Sequence, residues 1–381
     1  MKDTLKRRKD MIWGALVADA ASLGLHWIYA QPRIHRIAPE KPEFLEPDPT
    51  NYEGVPAYFA HGQRHAGDLS MYGEGMLVLL RSLRETGDFN WQHYAQQFSS
   101  HFGFGGEYVG YIDTPTRGTL INLIRQDEDH REEAMSVPFD GDEDEKHAVA
   151  MKVLGQVKIL RGQALRDKVR ETIRQTKGTD AQQKLATAML DRLESSREYP
   201  GTDDLQLPAL TRLPILAAVY PDHADLDTMV DEAVRVTHNN ETALAWSHFV
   251  MKVLRWSLSG DAAPEQLREA IQQAMVGAPD GVTKSVQDAL DRENQDPKTT
   301  AMKLGPACEL KSGVPVALHT LLNADGYIDA VRKNIYNCGD SCGRAMVLGA
   351  LAGALYGVPD EWKAQVNRKK ELEAHIDSLC S

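Results

Sequence analysis

Apolar residues recur along most of this chain at intervals of three and four, the spacing of one face of a helix. The clearest run is Gly75-Met-Leu-Val-Leu-Leu-Arg-Ser-Leu83. It lies between Asp68 and Ser70, which suit a helix start, and Gly87, which suits an end. Similar patterns over 89–102, 146–176, 180–195, 225–258, 263–275 and 314–333 predict further helices. Period-two alternation is scarce, and Gly103-Phe-Gly105-Gly106 stands in an aromatic stretch with no strand before it, so a dinucleotide-binding turn is not supported. The pattern predicts an all-α protein. No tandem repeat and no linker divides it, so residues 1–381 are expected to form one domain.

Three stretches interrupt the helical period. Residues 31–66 hold six prolines and predict a long, ordered excursion. Residues 126–146 are acidic and predict a solvated loop. Asp140-Gly-Asp142-Glu-Asp144 within it lacks a calcium loop's glycine at the sixth position, where Glu145 stands, and its closing glutamate, where Met151 stands. Two other runs, Gly14-Ala-Leu-Val-Ala-Asp19-Ala-Ala-Ser-Leu-Gly24 and Gly349-Ala-Leu-Ala-Gly353-Ala-Leu-Tyr-Gly357, are crowded with small residues, although each interior glycine costs a helix about 0.5–1 kcal/mol relative to alanine. Ala345, Gly349 and Gly353 share one face. That stripe lets a second helix backbone come very close, so the two runs are expected to pair at the centre, with Gly357 as a C-cap and Pro359 as the stop.

Composition narrows the function. Of 381 residues, 43 are Lys or Arg and 55 are Asp or Glu, a net charge of −12. This argues against a general grip on nucleic-acid phosphates or an anionic membrane. No run approaches the roughly 18–20 apolar residues that span a bilayer. Four cysteines without a C-x-x-C pair make neither a disulfide framework nor a zinc ribbon, and predict a reduced, cytoplasmic protein.

Two segments carry candidate chemistry. In Asn337-Cys338-Gly339-Asp340-Ser341-Cys342-Gly343-Arg344, Asp340 or Ser341 is an apt N-cap, and the same free N–H groups would also favour an anion. A capping box and a ligand site are both open readings. His65-Ala-Gly67-Asp68-Leu-Ser70-Met-Tyr72-Gly73-Glu74 supplies two carboxylates near a helix start. Paired carboxylates suit cleavage of a glycosidic bond: one protonates the leaving group or orients water, and the other stabilises a cationic sugar transition state.

These landmarks make the chain similar to the ADP-ribosylglycohydrolase family. In family order they are Gly14-Ala-Leu-Val-Ala-Asp19-Ala, the helix start at 67–78, Leu210-Thr-Arg212-Leu-Pro214-Ile, Thr237-His238-Asn-Asn240-Glu241, and Gly339-Asp340 leading into Gly349–Gly357. The resemblance covers about residues 11–362. Asp19-Ala-Ala-Ser-Leu-Gly-Leu-His26-Trp27-Ile-Tyr29 and Gly67-Asp68-Leu-Ser-Met-Tyr72-Gly73-Glu74 look more like the divergent branch that includes cnidarian lens crystallins. The resemblance implies a compact helical domain with its site in the core of the bundle. It also implies two magnesium ions, held by an early Asp-Asp-Thr run and a late Asp-x-Asp-Thr run. This chain departs from both. Cys342 and Gly343 stand where the second Asp and the Thr belong, Met71, Tyr72 and Gly73 stand against the early run, and His26 replaces a glutamate. Thiol, thioether and hydrogen are poor magnesium ligands. No metal cofactor is therefore expected, and a single divalent ion on Asp68, Glu74 and Asp340 is the reduced alternative.

The resulting expectation is a glycohydrolase-like hydrolase acting at C1 of a ribose-type small molecule, an ADP-ribosyl group or a simpler riboside, with weak or no magnesium dependence. Asp68, Glu74 and Asp340 are the expected catalytic acids, meeting in one cavity. His26, Tyr72, Arg212, His238, Glu309 and Ser341 are the expected substrate contacts. Arg212 could bind a phosphate or tie helices through carbonyls, His238 could be a buried structural histidine, and Glu309 could face substrate or cap a helix. Asp19 is expected buried and hydrogen-bonded, and Cys342 is read as packing. The alternatives are a conventional magnesium-dependent ADP-ribosyl hydrolase and a non-catalytic, crystallin-like descendant.

Overall fold

The two small-residue runs find each other. In the computed structural model, which describes residues 2–157, 162–176, 178–194 and 198–381, the helices Lys2–Ser22 and Ser341–Tyr356 make the most extensive contact of any helix pair. A Cβ on Gly14 would strike the Gly349 carbonyl oxygen and lie 2.9 Å from the Gly353 Cα, and one on Gly353 would strike the Asp10 carbonyl. Glycine is needed here for backbone-to-backbone approach, and the dispersion contact so gained offsets its helical cost. The Gly14 carbonyl is also taken by the buried Tyr327 hydroxyl at 2.7 Å. Gly357, at φ 79°, closes the second helix as expected.

Helices Met71–Thr86, Leu213–Val219, Leu310–Leu322 and Tyr327–Tyr336 surround this pair, and Glu241–Ser257 packs against the second member. The described residues contain nineteen α-helices and no strand, only three isolated bridges. The fold is all-α, as the hydrophobic period predicts. None of the described helices is long and apolar enough to cross a membrane.

Capping residues cut the predicted stretches where the periodicity alone does not. Ser70 accepts from the Tyr72 N–H and starts Met71–Thr86, and Gly87 at φ 75° ends it. Asn240 accepts from the N–H groups of Thr242 and Ala243, so the 225–258 stretch becomes Leu226–Arg235 and Glu241–Ser257. The 314–333 stretch divides into Leu310–Leu322 and Tyr327–Tyr336. The 146–176 stretch runs through 158–161, which lie outside the described residues, as does the last residue of 180–195.

The acidic loop expected at 126–146 is corrected to helix over most of its length. Asp113 caps a helix that continues from Thr114 to Ser136, and a new one starts at Glu143, leaving only 137–142 between them. Glu, Gln and Arg are good helix formers, and charges such as Asp127 and Arg131 are spaced for i,i+4 attraction, so an exposed helix needs few apolar residues. The far end of this helix helps enclose a second, smaller core, built from Ala134, Val149, Val153, Ile173, Met189, Leu190 and Leu193 among others.

The 31–66 excursion is ordered and mostly irregular, with one short helix, Gln31–Ile37, and a turn at Pro49–Tyr52. Tyr52 ties it to the N-terminal element by donating to the carbonyls of Gly24 and His26 at 3.2 and 2.9 Å.

Candidate active site

The chain's two most distinctive turns are joined through their backbones. Trp27 N–H donates to the Gly339 carbonyl at 2.9 Å, and Gly339 N–H donates to the Ile28 carbonyl at 2.7 Å. Trp27, Cys338 and Gly339 all adopt left-handed φ, of 65°, 65° and 63°. For a bulky residue such as Trp27 that conformation costs free energy, and it persists because the surrounding contacts fix it. Its effect is to set His26 beside Asp340.

Asp340 is fully buried and caps the helix Ser341–Tyr356, accepting from the Gly343 N–H at 2.8 Å. Its carboxylate also meets His26 Nε2 at 2.9 Å and accepts from the Tyr72 hydroxyl at 2.8 Å. A Cβ at position 343 would stand 2.7 Å from both carboxylate oxygens, so glycine there admits the carboxylate. Burial opposes the charge, but His26, Gly343 and Tyr72 together outweigh it and hold the Asp340 carboxyl below its ordinary range. Since Asp340 is ionised, His26 Nε2 donates to it, and His26 Nδ1 faces His61 Nε2 at 2.7 Å. Burial, then the neighbouring His26 and Arg64, push His61 well below the usual imidazole range.

A second buried acid lies close by. Asp19 accepts from the Ser70 N–H at 2.8 Å and the Ser70 hydroxyl at 2.5 Å, and Cys342 Sγ lies 3.6 Å from its carbonyl oxygen. Burial overrides the Ser70 hydrogen bonds and lifts the Asp19 carboxyl to about 7. A third is Asp113, completely buried at the cap of Thr114–Ser136. One of its oxygens accepts from the Thr116 N–H at 2.8 Å, and the other has no hydrogen-bond partner among the described residues. Burial raises it to about 6 against those Thr116 bonds, with smaller contributions from the charges of Asp204 and Asp340.

The three expected catalytic acids fall into two separate sets of contacts, Asp68 with Glu74 and Asp340 with others, and not into the single cluster expected from sequence. Asp68 accepts from the His65 N–H and from Asn367, both at 2.8 Å, and so pins a surface turn. Glu74 is buried but turned to two arginines and a histidine: Arg64 at 2.6 Å, Arg368 at 3.6 Å and His101 at 2.9 Å. Arg64 links Glu74 and Asp68, whereas among the described residues Asp340 shares no hydrogen-bond partner with either. Helical register is the reason. Glu74 lies one turn beyond Ser70, and its side chain leaves the helix toward the 60s loop and the C-terminal segment.

Of the expected substrate contacts, His26 and Tyr72 stand on Asp340, and the buried Ser341 hydroxyl has no partner among the described residues. Arg212 donates to the Pro208 carbonyl and the Tyr94 hydroxyl, the carbonyl-tying alternative. His238 is fully buried, bonded through Nδ1 to the Thr237 hydroxyl, with Nε2 3.6 Å from Asp204. Glu309 is exposed and paired with Lys311 at 2.9 Å. Sequence reasoning missed His61 and Asp113. His61 comes from the irregular excursion, where no period marks it. Asp113 had a signal, an Asp directly before Thr-Pro-Thr at a helix start, but that signal reads as a cap.

Comparison with known proteins agrees with this architecture. The chain belongs to the ADP-ribosylglycohydrolase family, whose profile matches residues 1–381. Crystallin J1A of Tripedalia cystophora is 26% identical over 379 residues, covering 98% of this chain and 96% of its own. Crystallin J1B of the same animal is 25% identical over 376 residues with the same coverage. A solved structure titled ADP-ribosylglycohydrolase-related protein complex superposes with a TM-score of 0.64 at 18% identity, covering 100% of this chain and 99% of that one.

The residues present do not fit a pair of magnesium ions. Magnesium wants near-octahedral oxygen ligands. Around Asp340 stand two imidazoles and a thiol, and the Asp340 and Asp19 oxygens are already engaged by His26, Tyr72, Gly343 and Ser70.

Proposed function

We propose that this protein hydrolyses a glycosidic bond at C1 of a ribose-type substrate, an ADP-ribosyl group or a small riboside, with no requirement for magnesium. The observation that carries the reading is a pair of buried carboxyls pushed apart by their surroundings. Asp340 is held ionised by His26, Tyr72 and Gly343, while Asp113 is raised to about 6 and has one oxygen without a partner among the described residues. Such divergence is how one site assigns an acid and a charge stabiliser. Asp340 stabilises the positive charge that develops at C1, and Asp113 protonates the leaving group as its bond to C1 breaks. Water then adds to C1 and returns a proton to the Asp113 carboxylate, and Tyr72 and His26 keep Asp340 in place.

The test is release of free sugar from a panel of ribosides and ADP-ribose conjugates, with and without added magnesium. Asp340→Asn, which keeps a good N-cap, is expected to lower kcat/KM by at least about 100-fold without loss of fold. Because a general acid must carry its proton, kcat/KM is expected to fall as pH rises through about 6, and Asp113→Asn to remove that limb. Turnover that survives Asp340→Asn, or that appears only with magnesium, overturns the proposal.

A second reading, a structural protein like the crystallins it resembles, is favoured by the complete burial of Asp340, Tyr72 and His26. Absence of turnover on the whole panel selects it.

A further inference from the structure

His26, His61 and Cys342 come from three separate elements and converge. His26 follows the short turn Leu23–Leu25, His61 comes from the excursion, and Cys342 is the second residue of Ser341–Tyr356. One donor atom from each lies within 4.8 Å of the other two, and all three residues are 1% exposed or less. Among the described residues the buried His61 Nδ1 has no hydrogen-bond partner, so one imidazole nitrogen here is unsatisfied.

We propose that His26, His61 and Cys342 form a seat for one borderline-soft divalent cation of the zinc type, with Asp340 as the outer carboxylate that orients His26. This goes beyond the hydrolase reading and does not depend on it. Imidazole and thiolate are the donors such an ion prefers, and they are the wrong ones for magnesium. Donation of His26 Nε2–H to Asp340 leaves Nδ1 with its lone pair, as in the carboxylate–histidine–metal arrangement. Charge also balances: binding releases the Cys342 thiol proton to solvent, and the thiolate with the Asp340 carboxylate neutralises the two positive charges. In a tetrahedral site the donors stand roughly 3.3–3.6 Å apart. Ion entry therefore opens the His26–His61 pair from 2.7 Å and draws in the thiol, movements that side-chain rotation supplies. Three protein donors leave one tetrahedral position over.

The full-length chain, stripped with a chelator and titrated with cobalt(II), tests this. One ion per chain is expected, with a thiolate-to-cobalt charge-transfer band and tetrahedral d–d bands, displaced by stoichiometric zinc and not by a large excess of magnesium. Cys342→Ser is expected to abolish the charge-transfer band. His61→Asn should weaken cobalt binding at least about tenfold, and Asp340→Asn about 10–100-fold, the usual cost of losing an outer partner. If Cys342→Ser does not fold, X-ray absorption of the zinc-loaded wild type decides, with one sulfur expected at about 2.3 Å and nitrogens at about 2.0–2.1 Å. No cobalt uptake, bands unchanged by Cys342→Ser, or a shell of oxygens alone overturns the proposal. Turnover without cobalt binding leaves the hydrolase reading intact and removes the metal seat, and cobalt binding without turnover does the reverse.

Discussion

Asp19 shows how a single side chain can make stability depend on pH. Its folded-state carboxyl titrates near 7, against 3.8 when free, because burial penalises the charge more than Ser70 repays it. Between those values the folded chain keeps a proton that the unfolded chain releases, so stability is full below about 4 and is lost as pH rises through 7. Asp19→Asn is expected to stabilise the protein relative to wild type progressively from pH 4 to pH 8, by roughly 3–4 kcal/mol across the range, on top of any constant offset from the altered Ser70 contact. Urea unfolding at several pH values measures that difference, and a flat difference profile would show that Asp19 is ionised in the folded state. Its burial between Ala18 and Ala20 was legible in the sequence. Its partner, 51 residues away, was not.

Elements were read well where a helix carries its own packing surface. Ala345, Gly349 and Gly353 announce a close helix contact because their spacing puts them on one face, whatever the partner is. Gly349→Ala is expected to cost about 1–3 kcal/mol or more, since its Cβ would meet the Gly14 carbonyl oxygen and the Ala18 Cβ. Gly155 offers the opposite case. It is a helical glycine, exposed, with nothing among the described residues within 4 Å of an added Cβ, so Gly155→Ala should gain about 0.5–1 kcal/mol. Denaturant midpoints of the two variants should therefore move in opposite directions. The acidic 126–146 segment was misread for the complementary reason. A helix held by charge pairs and a cap carries little hydrophobic period.

At the scale of the whole molecule, two cores divide the work. The larger surrounds the paired helices and the site, and the smaller lies among residues 134–193. Leu190→Ala, which opens a cavity in the smaller core, is expected to cost about 2–5 kcal/mol there and to lower amide-exchange protection in helices 143–157 and 180–194. Protection in the helix Ser341–Tyr356 should be unchanged. Equal loss in both places would show that the cores open as one unit.

By itself the sequence determined the helical class and the central small-residue pair, because each is written in local spacing; the expected departure from a magnesium-binding donor set came only through the family resemblance. Only the tertiary structure decided which side chains meet. It moved Asp68 to a surface turn and Glu74 to two arginines and a histidine, and it brought His61 from an aperiodic excursion to His26. Convergence of that kind depends on loop paths and helix rotations that no local pattern encodes.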